Sequence, residues 1–108
     1  MEIVVTVPKR EIDNFEKELV EIAADPELFK HFKLSKEPKK INVVEKIYFV
    51  VNGSVKYRAN VYGFTKKGFT CHSTGRQQRG KFVICDDFFE VEEKIEVRGF
   101  QGFRYKWW

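Results

Sequence analysis

The run Lys46-Ile47-Tyr48-Phe49-Val50-Val51-Asn52-Gly53-Ser54-Val55-Lys56-Tyr57-Arg58-Ala59-Asn60-Val61-Tyr62 decides how the chain must be read. Its first arm is a continuous apolar stretch of strand length, rich in β-branched and aromatic side chains. Asn52-Gly53 follows at once, and this dipeptide supplies the two positive φ values that a type I′ hairpin requires. The return arm alternates, with Val55, Tyr57, Ala59 and Val61 on one face and Lys56, Arg58, Asn60 and Tyr62 on the other. A β-hairpin with one apolar face needs something apolar to lie on it, so the rest of the chain is read for its covering layer.

Upstream, Ile3, Val5 and Val7 alternate with Glu2, Val4 and Thr6, the pattern of a short strand. Pro8 ends it and suits a helix start. Ile12, Phe15, Leu19 and Ile22 recur at steps of three and four, which predicts an amphipathic helix with an acidic outer side. Asp25-Pro26 reads as a cap and first helical residue, so a second short helix is expected with Leu28, Phe29 and Phe32 inward. Residues 33–40 form a lysine-rich connector broken by Pro38. Downstream, Lys66-Lys67-Gly68 reads as a turn, and residues 69–73 and 81–85 are expected to pair around the loop 74–80. Ile95 and Val97 alternate with Glu96 and Arg98, a further strand. The expected fold class is α+β, with two N-terminal helices and a small curled sheet or pseudo-barrel of five to seven strands.

The chain has 108 residues, 43% hydrophobic and 33% charged, which fits one domain with its own core and excludes a disordered chain. No apolar stretch approaches the ~20 residues of a membrane-spanning helix, so a membrane partner is not expected. The N-terminal residues read as a strand and lack the pattern of a signal peptide, and two cysteines are too few for a disulfide framework. A cytoplasmic location is the expectation that follows. Lysine outnumbers arginine and glutamate is abundant, a composition that leans toward a thermophilic source.

Net charge is only +4, but its distribution is uneven. From Lys46 to Cys85 there is no acid, while Lys46, Lys56, Arg58, Lys66, Lys67, Arg76, Arg79 and Lys81 are all basic. The acids gather in residues 11–27 and 86–96. An acid-free basic middle attracts anionic partners, although the same charges also serve to solvate the outer faces of strands. In the loop, Arg76, Gln77, Arg79 and Lys81 combine planar guanidinium forks with an amide that can both donate to and accept from a base edge. Such a loop is equally an ordinary solvated hairpin tip. At the C-terminal end, Phe103, Tyr105 and Trp107 alternate with Arg104, Lys106 and Trp108. Rings interleaved with cations suit base stacking beside phosphates. The competing reading puts Phe103, Tyr105 and Trp107 in the core and leaves Trp108 as the most exposed ring.

Catalytic and metal readings are weaker. Cys71-His72 places neighbours on opposite faces of a strand, and Cys71, His72, Cys85 and His31 lack zinc-ligand spacing. Cys85, inside an apolar run, reads as a buried free thiol. Asp86-Asp87 reads as a turn before it reads as a cation site. No phosphate-binding glycine loop or nucleophile elbow is present, so no cofactor and no metal are expected.

Residues 44–64 resemble the central hairpin of PUA-like domains, particularly the ASCH group, in their apolar strand, glycine turn and closing apolar-x-apolar strand. The resemblance implies a small pseudo-barrel and binding of RNA or a modified base; some ASCH relatives hydrolyse nucleic acid or amide substrates. That group's Gly-x-Lys-x-x-Glu-x-Arg type motif is not reproduced by Ser35-Lys36-Glu37-Pro38-Lys39-Lys40-Ile41-Asn42, so no catalytic residue carries over. Three functions follow as expectations. The first is binding of RNA or another single strand through Lys56, Arg58, Lys66, Lys67, Arg76, Gln77, Arg79, Lys81, Arg104 and Trp108. The others are a small hydrolase acting on a nucleotide or nucleic acid, and a module for a protein partner.

Overall fold

The Asn52-Gly53 turn forms with both residues at positive φ, 52° and 82°, and joins β3 (Lys46–Val51) to β4 (Ser54–Thr65). The computed structural model describes residues 1–25, 27–34, 44–65, 69–70, 77–78 and 80–108, with backbone alone for 69–70 and 77–78. Around the hairpin the chain adds β1 (Glu2–Thr6), a 3-10 turn (Lys9–Glu11), α1 (Ile12–Ala24), β2 (Lys30–Leu34), β5 (Phe69–Thr70), β6 (Gln77–Gln78), β7 (Lys81–Glu90) and β8 (Phe103–Tyr105). Six strands form one mixed sheet in the order β2-β7-β4-β3-β1-β8, and β5 and β6 form a separate two-stranded ribbon. Among the described strands only β1 and β3 run parallel. A parallel pair needs a long connection, here the segment that carries α1 and β2. The architecture is therefore α+β, one N-terminal helix against a curled half-barrel.

The helix follows from its apolar spacing. Pro8 precedes the 3-10 turn, with the Glu11 amide donating to the Pro8 carbonyl at 2.9 Å, and α1 then buries Ile12 and Phe15. Phe15 is the hub of the larger core, with its ring centroid 5.0 Å from Phe49, 5.8 Å from Tyr57, 6.2 Å from Phe88 and 6.3 Å from Phe32. Ile3, Val5, Ile47, Val83 and Cys85 complete this layer, and Cys85 is a buried free thiol whose pKa burial pushes up. The opposite face of the sheet carries a second core of Val4, Tyr48, Val50, Val55 and Val97, with Val91, Ile95 and Phe100 leaning on it. β1 and β3 are thus buried on both faces, as their near-continuous apolar sequences require.

Three expectations are corrected. The second helix does not form. Asp25 ends α1 in an extended conformation, and its Oδ1 accepts a hydrogen bond from the Glu27 amide at 3.0 Å, an Asx turn that starts a loop. Residues 30–34 then pair with β7, placing Phe32 against Phe15 and Phe49. The pairing of residues 81–85 is with β2 and β4, while Phe69–Thr70 pairs with Gln77–Gln78. Residues 95–98 make no strand of their own, only a single bridge between Ser54 and Glu96. They serve as a cover for the second core instead.

β4 departs from strict alternation in a way that matters below. Phe49 pairs with Tyr57, but its neighbour Val50 pairs with Val55, so Lys56 is an extra residue at a β-bulge. The bulge reverses the facing of everything before it. Val55 joins the second core, whereas Tyr57 and Ala59 join the first. Two further irregularities lie between β4 and β7, one with Asp87 at φ 51°. Such insertions bend strands and increase twist, which curls the sheet.

Candidate functional site

Past the bulge, Arg58 turns to the face of the sheet opposite α1. The cross-strand registers carry a row over that face from Phe89 (β7) to Arg58 (β4), Tyr48 (β3), Val4 (β1) and Arg104 (β8). Tyr48 is buried beneath the residues that follow β8. The Trp108 ring meets it edge-on at 5.3 Å, and the Lys106 Nζ lies 5.2 Å from the Tyr48 centroid and 5.5 Å from that of Trp108. At one end of the row the Arg104 guanidinium sits 4.5 Å from the Phe100 ring, which in turn is 6.4 Å from Trp107. At the other end Arg58 lies 5.6 Å from the Phe89 ring. Trp107 and Trp108 touch each other at 5.1 Å. An aromatic and cationic layer results, with Tyr48, Phe100, Arg104, Lys106, Trp107 and Trp108 linked by ring contacts and the Arg58–Phe89 pair set beside them by the Tyr48–Arg58 register.

The layer is exposed where contact with a ligand would need it. Trp107 is 53% exposed, Phe89 56% and Trp108 39%, while the Tyr48 floor beneath them is shut off. Each cation–ring contact contributes about 0.5–1 kcal/mol at such exposure and, more usefully, orients the cation. A guanidinium stacked on a ring keeps its N–H edge free for a planar anion. Among the described residues neither Arg58 nor Arg104 pairs with a carboxylate. Lys106 differs: its Nζ faces Glu2 Oε2 at 3.4 Å, an ion pair without a hydrogen bond, and that oxygen has no other partner. Desolvation works to lower the Lys106 pKa, but the Tyr48 and Glu2 oxygens outweigh it and hold the ammonium above its ordinary value. Lys106 therefore holds the floor together, and among the described residues the two arginines have rings but no carboxylate as partners.

The basic residues named from the sequence do not all converge. Arg58, Arg104 and Trp108 share the layer. Lys56, displaced by the bulge, reaches Glu16 of α1 at 2.6 Å, and the Tyr57 hydroxyl donates to the same carboxylate oxygen. The bonds from Lys56 and Tyr57 hold the Glu16 pKa below the usual carboxylate range, and the Glu16 bond raises that of Lys56. Lys56 is thus a staple between helix and sheet, apart from the layer that holds Arg58 and Arg104. Lys81 is exposed at the start of β7, opposite Leu34. The Gln77 backbone pairs with Thr70 in the small ribbon. Lys66, Lys67, Arg76 and Arg79 lie outside the described residues, as do Cys71 and His72.

A second carboxylate–lysine pair, Glu18 with Lys30 at 2.6 Å, is less exposed, at 13% and 14%. Lys30 also lies over the Phe15 ring at 5.7 Å, so this pair too fastens α1 to β2. Tyr48, Phe89, Phe100, Lys106 and Trp107 complete the layer and were not singled out from the sequence as ligand contacts. The interleaving of rings and cations in residues 100–108 was the signal for Phe100, Lys106 and Trp107, while Tyr48 and Phe89 join through the β3–β4 and β4–β7 registers, which carry no local signal. Trp107, not Trp108, is the more exposed indole, because Trp108 leans on Tyr48. Comparison with protein-family models, characterised proteins and solved structures returned no match to this chain.

Proposed function

We propose that this domain binds single-stranded nucleic acid, RNA or DNA, on the sheet face opposite α1. The observation that carries the reading is the pair of exposed indoles, Trp107 and Trp108, set beside a guanidinium already stacked for phosphate at Arg104. Bases offer π-faces to such rings whatever their sequence, and each stack contributes about 1–3 kcal/mol. A duplex hides those faces, so the platform favours an unpaired strand. The PUA-like kinship of the hairpin, with its pseudo-barrel and RNA-binding activity, belongs to the same proposal. Both indoles lie in the layer, so tryptophan fluorescence reads it directly. Titration with a twelve-residue uridine or thymidine oligomer at low salt should quench the emission, and a duplex of equal length should bind more weakly. No fluorescence change together with no rise in anisotropy of a labelled oligomer would overturn the reading.

A further inference from the structure

We infer that the bound strand runs across the sheet, perpendicular to the β-strands, from the Arg104–Phe100 end to the Arg58–Phe89 end, and that the site holds about three nucleotides. The inference rests on the single-strand reading above. The cross-strand row places the two unpaired arginines on β4 and β8, three strand spacings apart, or about 14 Å at ~4.8 Å each. Phosphates of an unstacked strand lie roughly twice the ~3.4 Å stacked spacing apart, so this span is about two phosphate intervals. Arg58 and Arg104 would then hold the first and third phosphates of a three-phosphate window. Between them Trp108 stands over Tyr48 as a central stacking platform, with Trp107 beside Phe100 and the exposed Phe89 at opposite ends.

Charge along the row favours this direction. The segment that follows β7 is pinned along the hairpin end of the face, where Val91 donates to the Lys56 carbonyl at 2.8 Å and Val97 to that of Gly53 at 3.0 Å. It exposes Glu92, Glu93 and Glu96 there beside Lys94, which is 3.6 Å from Glu96, and Arg98, a small excess of acid that disfavours a phosphate backbone running along the strands toward the turn. On the other side of the row lie Glu2, held by Lys106, Asp87, whose Oδ2 accepts from Asn60 Nδ2 at 3.3 Å, and Lys46, the cross-strand neighbour of both Glu2 and Asn60, so acids and bases balance there. The row itself carries Arg58 and Arg104 and no carboxylate, and it is the path a polyanion can follow.

The test is a length series of uridine oligomers, from two to eight nucleotides, titrated at low salt against the wild type, Trp108→Ala and the double variant Arg58→Ala/Phe89→Ala. All three are first matched by thermal melt. Wild-type affinity should climb steeply up to three or four nucleotides and then rise only with the number of available registers. Trp108→Ala should lose roughly 5- to 150-fold at every length, the range for one base–aromatic stack. Arg58→Ala/Phe89→Ala should lose a comparable factor on the longer oligomers and little on the dinucleotide. If the double variant binds the hexamer as the wild type does while Trp108→Ala fails, the transverse path is wrong and single-strand binding stands. If the wild type binds no oligomer of any length, both are wrong. Retention of the layer's binding for an acidic peptide alone would assign the face to a protein partner.

Discussion

Replacing Phe15 by Ala should destabilise the domain more than any other single change on α1. The ring is 2% exposed and touches Phe32, Phe49, Tyr57 and Phe88, so truncation opens a cavity that four rigid neighbours cannot easily fill. Phe→Ala at a buried site costs about 3–5 kcal/mol, and an aromatic hub belongs at the upper end of that range. A domain of this size has only ~5–15 kcal/mol in total. At about 4–8 °C per kcal/mol, the melting temperature should fall by roughly 15–40 °C. Far-UV circular dichroism melts measure this, with Val20→Ala as the matched control. Val20 is on the same helix but 71% exposed, so its change should move the midpoint by no more than a degree or two. A Phe15→Ala protein within about 1 kcal/mol of the wild type would mean that α1 does not dock on the sheet as described, and the two-faced core would have to be abandoned.

Glu16 has a depressed folded-state pKa, so its bonds to Lys56 and Tyr57 stabilise the fold fully above the ordinary carboxylate range. That contribution is lost as pH falls through the folded-state value, and denaturant midpoints compared between neutral and acid pH should drop less in Glu16→Gln than in the wild type. Gly53→Ala should lower the melting temperature by several degrees, about 1 kcal/mol, since the residue holds φ 82° and the cost is backbone strain with no clash. In a Cys71→Ser background, Cys85 should react with a thiol reagent only as fast as the protein opens, because burial both hides the thiol and raises its pKa. Rapid reaction without unfolding would contradict the placement of Cys85 in the first core.

The hairpin and α1 were legible because each has a local cause. Asn52-Gly53 sets its own turn, and Ile12, Phe15, Leu19 and Ile22 fit only the helical period. β2 was not legible: Leu28, Phe29 and Phe32 fit a helical face, and what turns residues 30–34 into a strand is the free edge of β7, fifty residues away. The bulge at Lys56 has no glycine or other marker, so strict alternation assigned Val55 and Tyr57 to one face when the structure puts them on two. The same insertion hands Lys56 to Glu16, forty residues earlier, and so separates it from Arg58. Arg58, Arg104 and Trp108 were readable as cations and rings in alternation. Their gathering with Phe89, Phe100 and Tyr48 into one layer is set by the β1–β8 and β4–β7 registers, which no local pattern encodes.

The most direct test of the account is the salt dependence of single-strand binding in the wild type and in Arg58→Ala/Arg104→Ala. Each phosphate contact on a single strand adds about 0.7 to the slope of log affinity against log salt. The double variant should therefore bind more weakly at low salt, with a slope shallower by about 1.4, while Lys17→Ala, on α1 across the sheet from the layer, should leave both affinity and slope unchanged. An Arg58→Ala/Arg104→Ala protein whose affinity and slope match the wild type would contradict the claim that these two arginines hold the phosphates.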